Sequence, residues 1–212
     1  MNIKQTVVCL LIFLCTAFSP QAALAEKIEI VALGDSLTAG YQLGPEDAFP
    51  VRLEVELKAR GHDVSVLNAG VSGDTSTGAL SRFDWAVPES ADIVIVELGA
   101  NDALRGVDPA KTRDALNKML ERLKQRGAQT LLAGMIAPPN MGDAYAEQFN
   151  PMYAELAKQH DVALYPFFLE GVAAQPELNL ADGMHPNRKG VDVIVRNILP
   201  HVESLIVKRK SK

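Results

Sequence analysis

The sequence predicts an α/β protein: a three-layer α/β/α sandwich around a mainly parallel five-stranded sheet. Three observations predict it. Short β-branched apolar runs alternate with longer segments of helical period. The runs lack polar alternation, as strands covered on both faces do. No repeat, low-complexity stretch or Pro/Gly/Ser linker divides the chain, and 212 residues make one domain able to bury a core without staples.

Taken in order, the chain begins with Lys4, an apolar run from Thr6 to Phe18, and a small-residue site, Ala23-Leu24-Ala25, before Glu26. This is the pattern of a secretory signal peptide cut after Ala25. The run is about 13 residues, short of the roughly 20 of a spanning helix. The expected division is a signal peptide over 1–25 and one secreted domain over 26–212. Cys9 and Cys15 both fall in the removed piece, so the mature chain has no disulfide, thiol nucleophile or cysteine-ligated metal.

Strands are expected at Ile28–Leu33, Val64–Leu67, Ile93–Leu98, Thr130–Gly134 and Val162–Tyr165. Amphipathic helices are expected near Phe49–Arg60, Pro109–Arg126, Ala144–Gln159 and Asn187–Val207. Asp108-Pro109 reads as N-cap and N1, and Gly61 and Gly127 read as stops. Right-handed crossovers place the loops that follow the strands along one sheet edge, where open parallel sheets bind ligands.

Composition removes other functions. A net charge of −5 argues against a nucleic-acid binder, which would need a basic face to replace phosphate counterions. Beyond the first stretch no window is apolar enough to span a bilayer. The tail Lys208-Arg209-Lys210 with Lys212 reads as a solvated end, with peripheral contact to anionic lipid as its other use.

The loops carry the chemistry. Gly34-Asp35-Ser36-Leu37-Thr38-Ala39-Gly40 follows the first strand. Ser36 falls at a helix start, where its hydroxyl is exposed and the first-turn amides point toward it; a plain N-cap serine is the commoner use. Asn68-Ala69-Gly70-Val71-Ser72-Gly73-Asp74-Thr75 follows the second. Its glycines suit a close backbone approach or positive φ, or else a turn with Asp74 or Thr75 as cap. Gly99-Ala100-Asn101-Asp102 follows the third, with a side-chain amide that caps locally or donates into a cleft.

Before the last helix, Asp182 stands three residues ahead of His185. It can accept one ring N–H and leave the other nitrogen as a base, while Pro186 starts the helix. His62, His160 and His201 lie at helix ends or turns with no paired carboxylate nearby and take no role. Together the loops supply a nucleophile, a base with its acid, and oxyanion donors on one edge. A capping explanation would have to hold four separate times.

Four blocks occur in order over nearly the whole domain: GDSLTAGY (Gly34–Tyr41), NAGVSGDT (Asn68–Thr75), GANDALRG (Gly99–Gly106) and DGMHPN (Asp182–Asn187). In them the chain resembles the SGNH (GDSL-type) hydrolase superfamily. Pro166-Phe167-Phe168 and DGMHPNRKG are most similar to its bacterial thioesterase I / lysophospholipase / arylesterase group. The resemblance implies a flavodoxin-like fold that needs no metal or cofactor. It implies Ser36 as nucleophile, His185 as base and acid, and Asp182 as the partner that orients it. The Ser36 and Gly73 amides and the Asn101 side chain would form the oxyanion hole. The Gly-x-Ser-x-Gly elbow of α/β-hydrolases is not present, since residue 38 is Thr.

The expected reaction is acyl transfer to water from small-molecule fatty-acyl or aryl esters, thioesters and lysophospholipids. The expected location is the periplasm, with an extracellular one as alternative; cytoplasmic acyl-CoA is then a poor natural substrate. Pro138, Pro139 and Met141, after the fourth strand, and Met184 are expected to wall an apolar acyl groove. Phe167 and Phe168 are either part of that wall or core. Two other readings are an O-acetylesterase of the same superfamily acting on carbohydrate or peptidoglycan, and a flavodoxin-like module cradling phosphate at Ser36–Thr38. The second leaves Asp182 and His185 without work.

Overall fold

Strands and helices alternate along residues 27–211, which are the residues described by the structure, a computed structural model. The expected signal segment, with Cys9 and Cys15, lies outside them, as does Lys212. The elements are β1 (Ile28–Gly34), α1 (Ser36–Ala39), α2 (Phe49–Ala59), β2 (Val64–Gly70), α3 (Ser76–Ser81), α4 (Phe83–Ala86) and β3 (Ile93–Glu97). There follow α5 (Ala100–Leu104), α6 (Pro109–Arg126), β4 (Gln129–Ala133), α7 (Asp143–Phe149), α8 (Met152–His160), β5 (Ala163–Tyr165) and α9 (Arg188–Lys210).

All neighbouring strands pair in parallel, in the order β2-β1-β3-β4-β5. This is the flavodoxin-like doubly wound order, in which the direction of winding reverses between β1 and β3. The reversal opens a crevice beyond the carboxyl ends of those two strands. One register row there runs Gly70–Gly34–Glu97–Ala133–Tyr165 across the whole sheet, an acid at its centre. On the faces α2 packs with α9, and α6 with α8.

Local chemistry explains the long helices. Asp108 caps α6 by accepting from Ala110 N at 2.9 Å, Pro109 takes N1, and Gly127 closes the end at φ 74°. Between them Thr112, Ala115, Leu116, Met119, Leu120 and Leu123 recur at helical spacing and are all buried. In α9 the stripe from Val191 to Ile206 is buried in the same way, with Pro200 on the exposed side. Phe49 and Phe168 meet edge to face with centroids 5.1 Å apart, both fully buried. Burial of each contributes about 1.5–3 kcal/mol. Phe168 is thus core, and Phe167 packs partly buried against it.

Several expectations are corrected. The helix expected over Ala144–Gln159 is two, α7 and α8, because Pro151 has no N–H to continue the first. Asn150 at the break instead accepts from Ala137 N at 2.8 Å and holds the loop after β4. Strand β2 runs three residues further than expected, through Gly70, because the ladder with β1 continues. Only the three central strands are covered on both faces; Leu67 and Asn68 of the edge strand β2 are exposed. Pro186 precedes rather than starts α9, whose cap is Asn187 accepting from Gly190 N.

Candidate active site

The site grows from the β1–α1 turn. Asp35 caps α1 by accepting from Leu37 N at 3.0 Å, which makes Ser36 the first helical residue, its amide among the unpaired N–H groups of the first turn. Gly34 must be glycine, since a Cβ there would stand 2.1 Å from Thr38 Oγ1. Gly70 must be too, since its Cβ would meet Ala39 N at 2.4 Å. The β2 end therefore presses directly on the helix that carries Ser36.

From the loop before α9, His185 Nε2 lies 2.9 Å from Ser36 Oγ. Its Nδ1 lies 2.7 Å from Asp182 Oδ2. A carboxylate only accepts, so Nδ1 carries the proton and Nε2 is the acceptor for the serine hydroxyl. Asp182 Oδ1 also accepts from Met184 N at 2.9 Å and His185 N at 3.0 Å. These bonds to His185 and Met184 hold the Asp182 carboxyl down at about 2, so it is charged throughout neutral pH. The Tyr41 ring lies 4.4 Å from the imidazole, centroid to centroid, and backs it.

Asn101, in the first turn of α5, gives one Nδ2 hydrogen to Asp35 Oδ2 at 3.0 Å, which leaves its second N–H. Gly73 has φ 85°, and its carbonyl accepts from Arg105 Nη2 at 2.8 Å. Asp102, fully buried, accepts from Ser76 N, Ser76 Oγ and Thr112 Oγ1, and so ties α3 and α6 to α5. Thr75 is the α3 cap, while Asp74 pairs with Arg82 at 2.6 Å.

The structure thus joins Ser36, His185 and Asp182 in one hydrogen-bonded chain, and links Asn101 to the residue before Ser36. Met141 lies against Gly106, and Pro138 and Pro139 stand in the same loop after β4. Each loop of this edge exposes a large apolar side chain: Tyr41, Val71, Leu104, Ile136 and Met184, the last 51 % exposed. Sequence reasoning missed Asp35, Thr38, Glu97, Tyr41, Asp102 and Arg105. An acid ending an otherwise apolar strand was the signal for Glu97. His62, expected to stand with no paired carboxylate nearby, pairs with Glu203 at 3.1 Å across 141 positions. His160 bonds Asn117, and His201 packs on Tyr165. In the basic tail Arg209 is spent on Asp92 at 2.7 Å. Among the described residues no group of His, Cys, Asp or Glu is arranged to hold a metal, and no helix is long and apolar enough to cross a membrane.

A serine, histidine and aspartate chained in this way at the switch point of a flavodoxin-like sheet have the form of a serine hydrolase. Residues 32–193 match the model of the GDSL-like lipase/acylhydrolase family, and the chain belongs to that family. It is 40 % identical over 178 residues to an arylesterase of Vibrio mimicus, covering 84 % of this chain and 87 % of that one. It is 38 % identical over 187 residues to thioesterase 1/protease 1/lysophospholipase L1 of Escherichia coli, covering 88 % of each. A crystal structure of TesA superposes with a TM-score of 0.79 at 37 % identity, covering 84 % of this chain and 99 % of that one.

Proposed function

We propose that the protein is a serine esterase that hydrolyses acyl and aryl carboxylic esters, thioesters and lysophospholipids through an acyl-enzyme on Ser36. The unbroken chain from Ser36 through His185 to Asp182 carries this reading. His185 Nε2 takes the serine proton as Oγ attacks the carbonyl carbon, and charged Asp182 stabilises the imidazolium. Negative charge grows on the carbonyl oxygen, where the Ser36 and Gly73 amides and the second Asn101 N–H receive it. His185 gives its proton to the leaving alcohol or thiol. Water, deprotonated by the same nitrogen, then attacks the acyl-enzyme, releases the acid and restores Ser36.

The apolar side chains on every loop of the edge favour a long acyl or aryl group over acetyl. Pro138, Pro139, Met141 and Met184 are assigned to that binding wall. The names of the relatives, an arylesterase and a thioesterase/lysophospholipase, support a broad acyl range. The amino-terminal pattern supports export to the periplasm, with residues 1–25 as signal and 26–212 as the enzyme.

A chain-length series of nitrophenyl esters with a lysophospholipid, run on wild type and Ser36→Ala, tests the reading. Octanoyl should be cleaved faster than acetyl, and folded Ser36→Ala should lose at least about 10⁴-fold in kcat. A folded Ser36→Ala variant with full turnover would sink the mechanism; faster acetyl cleavage would transfer the enzyme to the O-acetylesterases.

A further inference from the structure

Beneath the nucleophile lies a second acid that the reaction above does not use. Glu97 ends β3 at the centre of the sheet and is fully buried. Its Oε2 accepts from Thr38 Oγ1 at 2.7 Å and from Asp35 N at 3.4 Å. Both donors belong to the turn and helix that carry Ser36. Its Oε1 has no hydrogen-bond partner among the described residues. The carboxyl reaches this place only because Gly34 opposes it in register: a Cβ there would stand 2.6 Å from Glu97 Oε2.

On the far side of the same turn, Asp35 spends Oδ1 on Leu37 N and Oδ2 on Asn101 Nδ2. Both oxygens already accept from N–H donors, and the ionised form accepts both bonds at full strength, whereas a proton on either oxygen would weaken the bond that oxygen accepts. The groups around this pair are Asp102 on α5, Tyr153 on α8, His185 before α9, and Arg82, which donates to the Gly34 carbonyl. Of the two buried carboxyls, the one that can take a proton without weakening an accepted bond is the one with a bare oxygen. That one is Glu97.

Taking the Ser36 mechanism as given, we propose that Glu97 is a positioning residue: as a neutral acid it pins the serine turn and leaves Asp35 ionised, and Asp35 aims the Asn101 amide at the oxyanion. Burial pushes the Glu97 carboxyl well above its usual range, and the Asp35 charge pushes it further. Asp35 itself rises only to about 6, helped by its bonds to Leu37 and Asn101 and by His185. Both directions agree with the protonation states that the geometry asks for.

Glu97→Leu, Glu97→Gln and Thr38→Val, assayed beside Ser36→Ala with Tm recorded, test the inference. Glu97→Leu should lower kcat about 10²-fold, the scale of one misaimed oxyanion donor, with KM within about twofold. Glu97→Gln, neutral and still an acceptor, should recover all but about threefold of that loss and keep the acid limb of the pH profile within about 0.3 units of wild type. If Glu97 were ionised, its removal would relieve Asp35 of a negative neighbour and move that limb down by more than about half a unit; such a shift overturns the inference, as does full kcat in Glu97→Leu. Should Glu97→Leu not fold, Thr38→Val, which deletes the donor and keeps the acid, should still cut kcat at least about threefold, and unchanged kcat there overturns it equally. A folded Ser36→Ala variant with near wild-type turnover would instead refute the serine mechanism, whatever the Glu97 variants do.

Discussion

Arg105 Nη2 donates to the carbonyl of Gly73 at 2.8 Å and so ties the loop after β2 to the end of α5. Those two segments carry the proposed backbone and side-chain donors of the oxyanion hole. The guanidinium is exposed, so water screens the bond, and its loss is worth about 1 kcal/mol. Arg105→Ala should therefore reduce kcat about five- to tenfold with KM nearly constant. Steady-state kinetics on a nitrophenyl ester check this; a raised KM at constant kcat would mean that Arg105 serves binding rather than alignment.

Asp35 makes stability and activity oppose each other. Its carboxyl is fully buried and raised from 3.8 to about 6 by desolvation, against its bonds to Leu37 and Asn101. A raised acid keeps its proton in the folded state longer than in the unfolded one, so its share of stability is present at low pH and lost as pH rises through about 6. The shift corresponds to at most about 3 kcal/mol. Asp35→Asn abolishes that titration: the stability of the variant relative to wild type should rise by up to about 3 kcal/mol between pH 4 and pH 7. Urea unfolding at both pH values measures it. The same change unaims Asn101, so kcat should fall toward the 10²–10³-fold loss of one oxyanion donor.

Asp182 behaves in the opposite sense. Its bonds to the His185 and Met184 amides and the imidazole lower the carboxyl from 3.8 to about 2. Its contribution to stability is thus complete above pH 3.8 and disappears as pH falls toward 2. The charge, present over the whole neutral range, is what fixes the imidazole tautomer. In Asp182→Asn an amide N–H can face Nδ1 and turn the proton onto Nε2, where it blocks the base. The expected loss in kcat is about 10²–10⁴-fold, with a melting temperature at pH 7 lowered by only a few degrees, since the stability tied to the charge goes with it but solvent screens much of it at this exposed group. A smaller loss than tenfold would show that the Ser36 hydroxyl is activated without this tautomer.

The sheet was legible in the sequence from local signals, and the Ser36, Asp182 and His185 chain from local signals plus topology, since parallel winding brings the loops after the strands to one edge and lets Ser36 meet His185 across 149 positions. β-branched runs announce strands, glycines mark the turns after them, and a three-residue spacing brings Asp182 to His185. The supporting acids were not legible. Asp35 N meets Glu97 across 62 positions and Ser76 meets Asp102 across 26, distances that no spacing rule covers. The pairing of His62 with Glu203 spans 141. Helices α1, α3, α4 and α5 are four to six residues long and show too little of a period to be read. The break between α7 and α8 had its signal in Pro151, overridden by the apolar stripe on either side.

Two glycines separate steric need from backbone need. A Cβ on Gly70 would stand 2.4 Å from Ala39 N and 2.8 Å from Ala39 Cα, rigid atoms of the helix that carries Ser36. Gly127 has φ 74° but nothing within 4 Å of its Cβ position. Gly127→Ala should therefore cost only left-handed strain, about 1 kcal/mol, and leave kcat alone, because the α6 end lies at the opposite edge of the sheet. Gly70→Ala has to move α1 or part β2 from β1. It should cost about 2–4 kcal/mol and, in the fraction that folds, lengthen the contact between Ser36 and His185. Thermal melts and kcat on both variants provide the check: equal effects on stability with unchanged kcat in each would mean that the close approach of β2 does not hold the serine in place.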